Sequence, residues 1–163
     1  MRLAWFCAGI AVLALTAPLS ARDSLGVFSD WGAFRDPATP RCYAIAMPQA
    51  NKAGDYQPFA SIGTWPRRAL RNQLHVRLSR RLSPAGTISL RVGNQSFELT
   101  GGGGDAWAKD RKADAAIVAA MRSAGAMIVT ARDRDGRIFN DSYRLAGAAT
   151  AMDAAAVGCA KLK

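Results

Sequence analysis

The chain has 163 residues, half of them hydrophobic, with 22 Lys+Arg against 12 Asp+Glu, one histidine and a formal net charge of +10. The length suits one domain with a real core. The scattered Cys and His positions exclude a zinc site, and the cationic excess points to anionic partners.

Arg2 and the amino terminus make a positive start, residues 3–17 are almost wholly apolar, and "APLSA" follows with small residues and a helix-breaking proline. This is the layout of a secretory signal peptide, residues 1–21, cleaved after Ala21. A retained anchor would need about 20 apolar residues. The mature chain, residues 22–163, is therefore expected to lack a transmembrane span and to lie in the periplasm or at the cell surface. No cysteine follows the cleavage zone, which disfavours a lipid anchor. Cys7 leaves with the signal, and Cys42 and Cys159 remain. In an oxidising space two cysteines most simply pair. The sharper alternative is a catalytic thiol at Cys42, for which His75 is the only histidine on offer.

"SLGVFSDWGAF" and "RCYAIAM" read as strands. So does "YQPFASIGTW", where Pro58 places the strand at an edge or a bulge. In "QLHVRLSRRL", Leu74, Val76 and Leu78 alternate with His75, Arg77 and Ser79, which puts the apolar set on one face. "SPAG" turns the chain, "TISLRV" sends Ile88, Leu90 and Val92 inward, "GN" turns again, and "QSFELT" brings Phe97 and Leu99. This punctuation is that of an antiparallel meander. "GGGGDAW", residues 101–107, lacks the Gly-Lys-Ser/Thr ending of a phosphate loop and reads as a flexible connection. "KADAAIVAAMRSAG" has helical period, with Ile117, Ala120, Met121 and Ala124 on one stripe and Gly125 as the stop. "AMIVTARDRDGRIFNDSYRL" returns to strand with "DRDG" as a hairpin turn. "AATAMDAAAVGCAK" closes as a short helix with Met152, Ala156 and Cys159 on one face. The fold expected is mainly β: a single-domain antiparallel β-sandwich with one inserted helix and one short C-terminal helix.

"DWGAF" followed by "RCYAIAMP", then "TWP", "SFEL", "AWAKDRKADAAIVAAMR" and the closing "SYRLAG" to "GC" resemble the invasion-associated locus B family of exported bacterial proteins. The resemblance runs from Trp31 to Cys159. It implies a periplasmic or surface-exposed β-sandwich with no known enzymatic site, no cofactor, and a bond between Cys42 and Cys159. Some members are linked to host-cell entry, but many bacteria carrying such proteins are not invasive, so no invasion role follows. Relatives tend to have serine at the places of Arg144 and Ala146 and phenylalanine at that of Ala148. "ARDRDGRIF" is also more charged than the family pattern, which weakens the transfer of any binding surface near that hairpin.

From Tyr56 to Phe97 there is no acidic residue, yet there are seven arginines: Arg67, Arg68, Arg71, Arg77, Arg80, Arg81 and Arg91. On the alternation above, Arg77 and Arg81 face solvent with His75 and Ser79, and Arg91 lies beside them if the two strands pair as a hairpin. Arg67, Arg68 and Arg71 follow a rigid Trp65-Pro66 turn. These arginines, with Trp65 as a stacking ring, form a candidate anion-binding face for an envelope component, a host glycan or an acidic protein. The bland alternative is a solvated face that blunts sheet edges with charge. Export makes nucleic acid a poor partner. A second class of function, a periplasmic hydrolase, has Asp105, Asp110, Asp114, Asp133, Asp135 and Asp141 to draw on. Most of these stand in turns or a first helical turn, where aspartate has ordinary structural work.

Overall fold

A computed structural model describes residues 22–49, 54–84, 86–160 and 162. The expected signal peptide lies outside the described residues. Ten strands alternate with short connections: β1 (Asp23–Phe28), β2 (Trp31–Asp36), β3 (Arg41–Ala46), β4 (Phe59–Trp65), β5 (Leu70–Arg77), β6 (Ile88–Val92), β7 (Gln95–Gly102), β8 (Asp105–Ala108), β9 (Ala126–Arg132) and β10 (Ile138–Arg144). Helix α1 (Arg111–Ser123) is inserted between β8 and β9, and α2 (Ala148–Cys159) follows β10. The protein is mainly β with two helices, as the alternation and the late change of period predict.

All the strand pairings are antiparallel and make one ladder, in the order β1-β2-β3-β4-β5-β8-β7-β6-β9-β10. Its two ends approach each other: Trp31 is fully buried and donates from Nε1 to the Arg144 carbonyl at 2.9 Å. Gln49 N–H also reaches the Ser142 carbonyl at 2.8 Å. One face of the ladder is the core. Ala33, Ala44, Ala60, Ile62, Leu74 and Val76 line it on the β2–β5 side, and Leu90, Val129 and Tyr143 on the β6–β10 side. Helix α2 lies on β1–β4, where small alanines on both partners allow close approach, and α1 lies against β5–β8. Antiparallel sheets commonly bury one face and leave the other to water, and β2, β3 and β5 show that alternation.

Several local expectations change. β5 and β6 are not a hairpin: β5 pairs with β4 and β8, and β6 with β7 and β9. Pro58 stands just ahead of β4, so it removes no ladder donor, and β4 is an interior strand between β3 and β5. The bulge in that pairing falls between Gly63 and Trp65 instead. "GGGGDAW" is a hairpin, not a flexible connection. Gly101 and Gly102 end β7, Gly103 turns with φ +63°, and Asp105 begins β8. In α2 the buried stripe is Met152, Ala155 and Cys159, and Ala156 is exposed.

Candidate functional site

The Trp65-Pro66 turn becomes one turn of 3-10 helix, Pro66–Arg68, with proline at its first position where a missing N–H costs nothing. Ala69 closes it at φ +51°, and Asn72 follows at φ +55° with its N–H on Thr64 Oγ1 at 3.3 Å. Two non-glycine residues in the left-handed region within four positions is uncommon backbone, of the kind held only where the surroundings over-determine it. The result is a rim that carries Arg67, Arg68 and Arg71, all exposed. A cavity of about 530 Å³ opens on its inner side, lined by Thr64, Pro66, Arg71, Asn72, Cys159 and Leu162. The structure joins Cys159 to Cys42 on β3, with Cα atoms 5.6 Å apart. Cys42 on β3 is thus half of a staple, and the cavity is seated against that staple.

The other arginines divide. Arg77 is bound to the Asp105 carboxylate and stacks over the Tyr56 ring at 3.9 Å. Gly104 makes room for that ring, since a Cβ there would strike it. Arg81 donates from Nε to the Tyr56 hydroxyl at 3.3 Å, and its backbone N–H to Asp55 at 2.9 Å. Arg80 pairs with Asp133 at 3.5 Å. Arg91 is exposed on β6, three strands away from β5 in the ladder, or roughly 14 Å at normal strand spacing. The expected single cationic face is therefore not contiguous. Arg67, Arg68, Arg71, Arg81 and Arg91 make no ion pair among the described residues, and of these only the first three are grouped.

Sequence reasoning missed the rings. Trp31, Phe139 and Tyr143 are the buried aromatic side chains of the core. On the opposite face, Phe34 stacks on Tyr43 with centroids 5.7 Å apart, and the Arg41 guanidinium lies 5.2 Å from the Tyr43 centroid. The indole of Trp65 lies over Gly63, directly opposite Tyr43 in register. A second line runs beside the first: Phe59 meets His75 edge-on at 5.2 Å, and His75 stacks on Trp107 at 5.1 Å and 7°. The signal was available in the outward set of the alternating strands, which carries phenylalanine, tyrosine, histidine and tryptophan where a solvated face carries Lys, Glu or Thr.

The carboxylates of the hydrolase reading each have a structural partner, and Asp133 and Asp135 share one, Arg137. Asp110 caps α1 by accepting from Ala113 N–H at 2.7 Å. Asp114 is buried and accepts from Leu74 N–H at 2.8 Å. Burial is the largest influence on Asp114 and raises its pKa, with the Asp110 charge adding to the effect and the Leu74 hydrogen bond opposing it. Asp141 accepts from Ser79 N–H at 2.9 Å, and burial raises its pKa too. Burial works against ionisation of Asp133, but hydrogen bonds from Arg137 outweigh it and hold that carboxyl below the usual range. Asp135 pairs with Arg137 at 2.6 Å. Asp105 bonds His75 Nε2 at 2.9 Å as well as Arg77, yet no hydroxyl hydrogen-bonds the His75 ring among the described residues. No group of three or more His, Cys, Asp or Glu is placed to hold a metal ion among the described residues, and no helix there is long and apolar enough to cross a membrane. No family model, curated protein or solved structure matches this chain.

Proposed function

We propose that this chain is an exported, non-catalytic envelope protein, of the kind that the likeness to the invasion-associated locus B family implies, and that it binds an anionic envelope or host-surface partner. Arg67, Arg68 and Arg71 are the binding cations. One observation carries this: they are exposed on one strained turn and the start of β5 that follows it, beside a cavity and without carboxylate partners among the described residues, while Arg77 and Arg80 are consumed by ion pairs. A guanidinium fork bonds phosphate or carboxylate bidentately, and three of them on a rigid rim add geometry to charge. The intact staple at Cys42–Cys159 and the absence of a spanning helix among the described residues are compatible with an exported form.

The test is co-sedimentation with lipopolysaccharide and with anionic phospholipid vesicles. The triple variant Arg67→Gln, Arg68→Gln, Arg71→Gln is expected to lose binding by tenfold or more, since charge-assisted bonds are worth roughly 1.5–3 kcal/mol each. Raising ionic strength should weaken the wild type, because exposed charges are screened beyond about 8 Å at physiological salt. Arg91→Gln, remote in the ladder, should bind as the wild type does. Equal losses in both variants would mean diffuse attraction to net charge, and no loss in either would end the proposal.

A further inference from the structure

We propose that the outer face of β2–β5 and β8 is a platform for the sugar rings of an acidic oligosaccharide, whose carboxylate or phosphate groups are taken by the arginine rim. This rests on the anion-binding reading above and names the partner class for it.

The platform has two lines of rings. Phe34, Tyr43 and Trp65 cross β2, β3 and β4, and Phe59, His75 and Trp107 cross β4, β5 and β8. Neighbouring strands lie about 4.8 Å apart, close to the advance of successive rings in an extended sugar chain, and the lines are about 7 Å apart along the strands. The rings lie down. A Cβ at Gly32 would strike the Phe34 ring, and one at Gly63 would strike the Trp65 indole. Glycine inside a strand weakens it and marks a place where something approaches closely. At Gly32 and Gly63 it lets Phe34 and Trp65 settle onto the backbone, and the ring surface left to solvent is what the C–H face of a pyranose would stack on. Trp107 is the most open of them, 37% exposed, although it is stacked on His75.

Planar hydrogen-bonding groups stand between the rings. Gln73 lies opposite Gly63, and Asp105 and Arg77 flank the second line. Such groups match sugar hydroxyls, which both donate and accept. The five strands are each paired on both sides, so an added peptide strand has no edge to join. Charge sets the direction. Arg67 and Arg68 follow directly beyond Trp65, so the first line ends in cations, whereas Arg41, over Tyr43, is paired with Asp36 at 3.4 Å. A neutral glycan would use the rings and leave those arginines idle, and a bare polyanion would use the arginines and leave the rings idle.

The experiment is calorimetric titration of the full chain with three probes: a hexamer of polygalacturonate, a neutral cellohexaose and inorganic polyphosphate. The uronate hexamer should bind at least tenfold more tightly than either of the others. Tyr43→Ala with Trp107→Ala should reduce uronate binding on the order of tenfold, by analogy with ring stacking on other planar ligands, and leave polyphosphate binding unchanged. Tyr43→Phe with Trp107→Phe keeps rings at both places and should retain binding, which separates stacking from a folding defect. If uronate and polyphosphate bind alike, and only the arginine variant weakens them, the platform is overturned while the anion-binding reading stands. Uronate binding lost with the rings but not with the arginines overturns the acidic-partner assignment and the reading beneath it. Ring removal that abolishes vesicle binding alone identifies a membrane-docking face and overturns the proposal.

Discussion

Asp114 shows how one residue can serve the fold and strain it at once. It stands in the first turn of α1, where the helix dipole favours a negative charge, and it anchors the helix to the sheet through Leu74 N–H. Only 7% of the residue is exposed, and burial raises its pKa. A carboxyl whose pKa is higher in the folded state contributes stability below its unfolded pKa of about 3.9 and loses that contribution as pH rises through the folded value. Asp114→Asn keeps an oxygen that can accept from Leu74 N–H and cannot ionise. Relative to the wild type, the variant should therefore gain stability between pH 3.5 and pH 7, as read by urea unfolding at the two values. A constant difference between the two proteins would show that the carboxyl is not ionising against burial. The position was legible in part. Asp114, Ile117 and Met121 share the helical stripe, but an aspartate in a first turn reads as a solvated cap residue unless the packing partner is known.

At the scale of elements, period gave faces and not partners. Leu74, Val76 and Leu78 are fully buried, and Ile88, Leu90 and Val92 nearly so, as alternation requires. Alternation holds no information on which strand lies alongside. The β5–β8 and β6–β9 pairings join strands that are not neighbours in sequence, so Arg91 could not be placed beside Arg77 or away from it. The glycine run misled for a related reason: four glycines look flexible until two of them are bound into a ladder. The candidate site was legible at its arginine rim, which follows from Trp65-Pro66. It was not legible in the alignment of its rings, because their register depends on four strand pairings at once. The docking of α2 turns on Gly147, its first flanking residue, at φ +84°. A Cβ there would overlap the Phe28 carbonyl oxygen of β1. Gly147→Ala meets both backbone strain and that collision and should cost at least about 2 kcal/mol. Hydrogen exchange should quicken in α2 and β1 before β6 or β7; uniform quickening would argue against local undocking.

For the whole molecule, the staple between Cys42 and Cys159 spans 117 positions. In the chain-entropy model a loop of that length is worth about 4–5 kcal/mol. Reduction should lower the melting temperature by roughly 10–20 °C and leave the far-ultraviolet signature of the strands in place at 25 °C. An unchanged melting temperature on full reduction would show that the helix and sheet hold α2 unaided. The ladder also fixes an order in time. Nearest neighbours in sequence make seven of its nine strand pairings, and only β5–β8 and β6–β9 join strands from farther apart. Close partners meet first because short loops cost less entropy to close. A chain delivered amino terminus first can therefore lay down β1 to β5 as it arrives, add the β6–β8 block across the first seam, and receive β9, β10 and α2 last. Cys42 then waits as a thiol until nearly every other contact is made. Its bond seals an assembled molecule and does not steer the assembly, and a chain cut short before α2 would announce itself to any thiol-scanning machinery by the cysteine it left open.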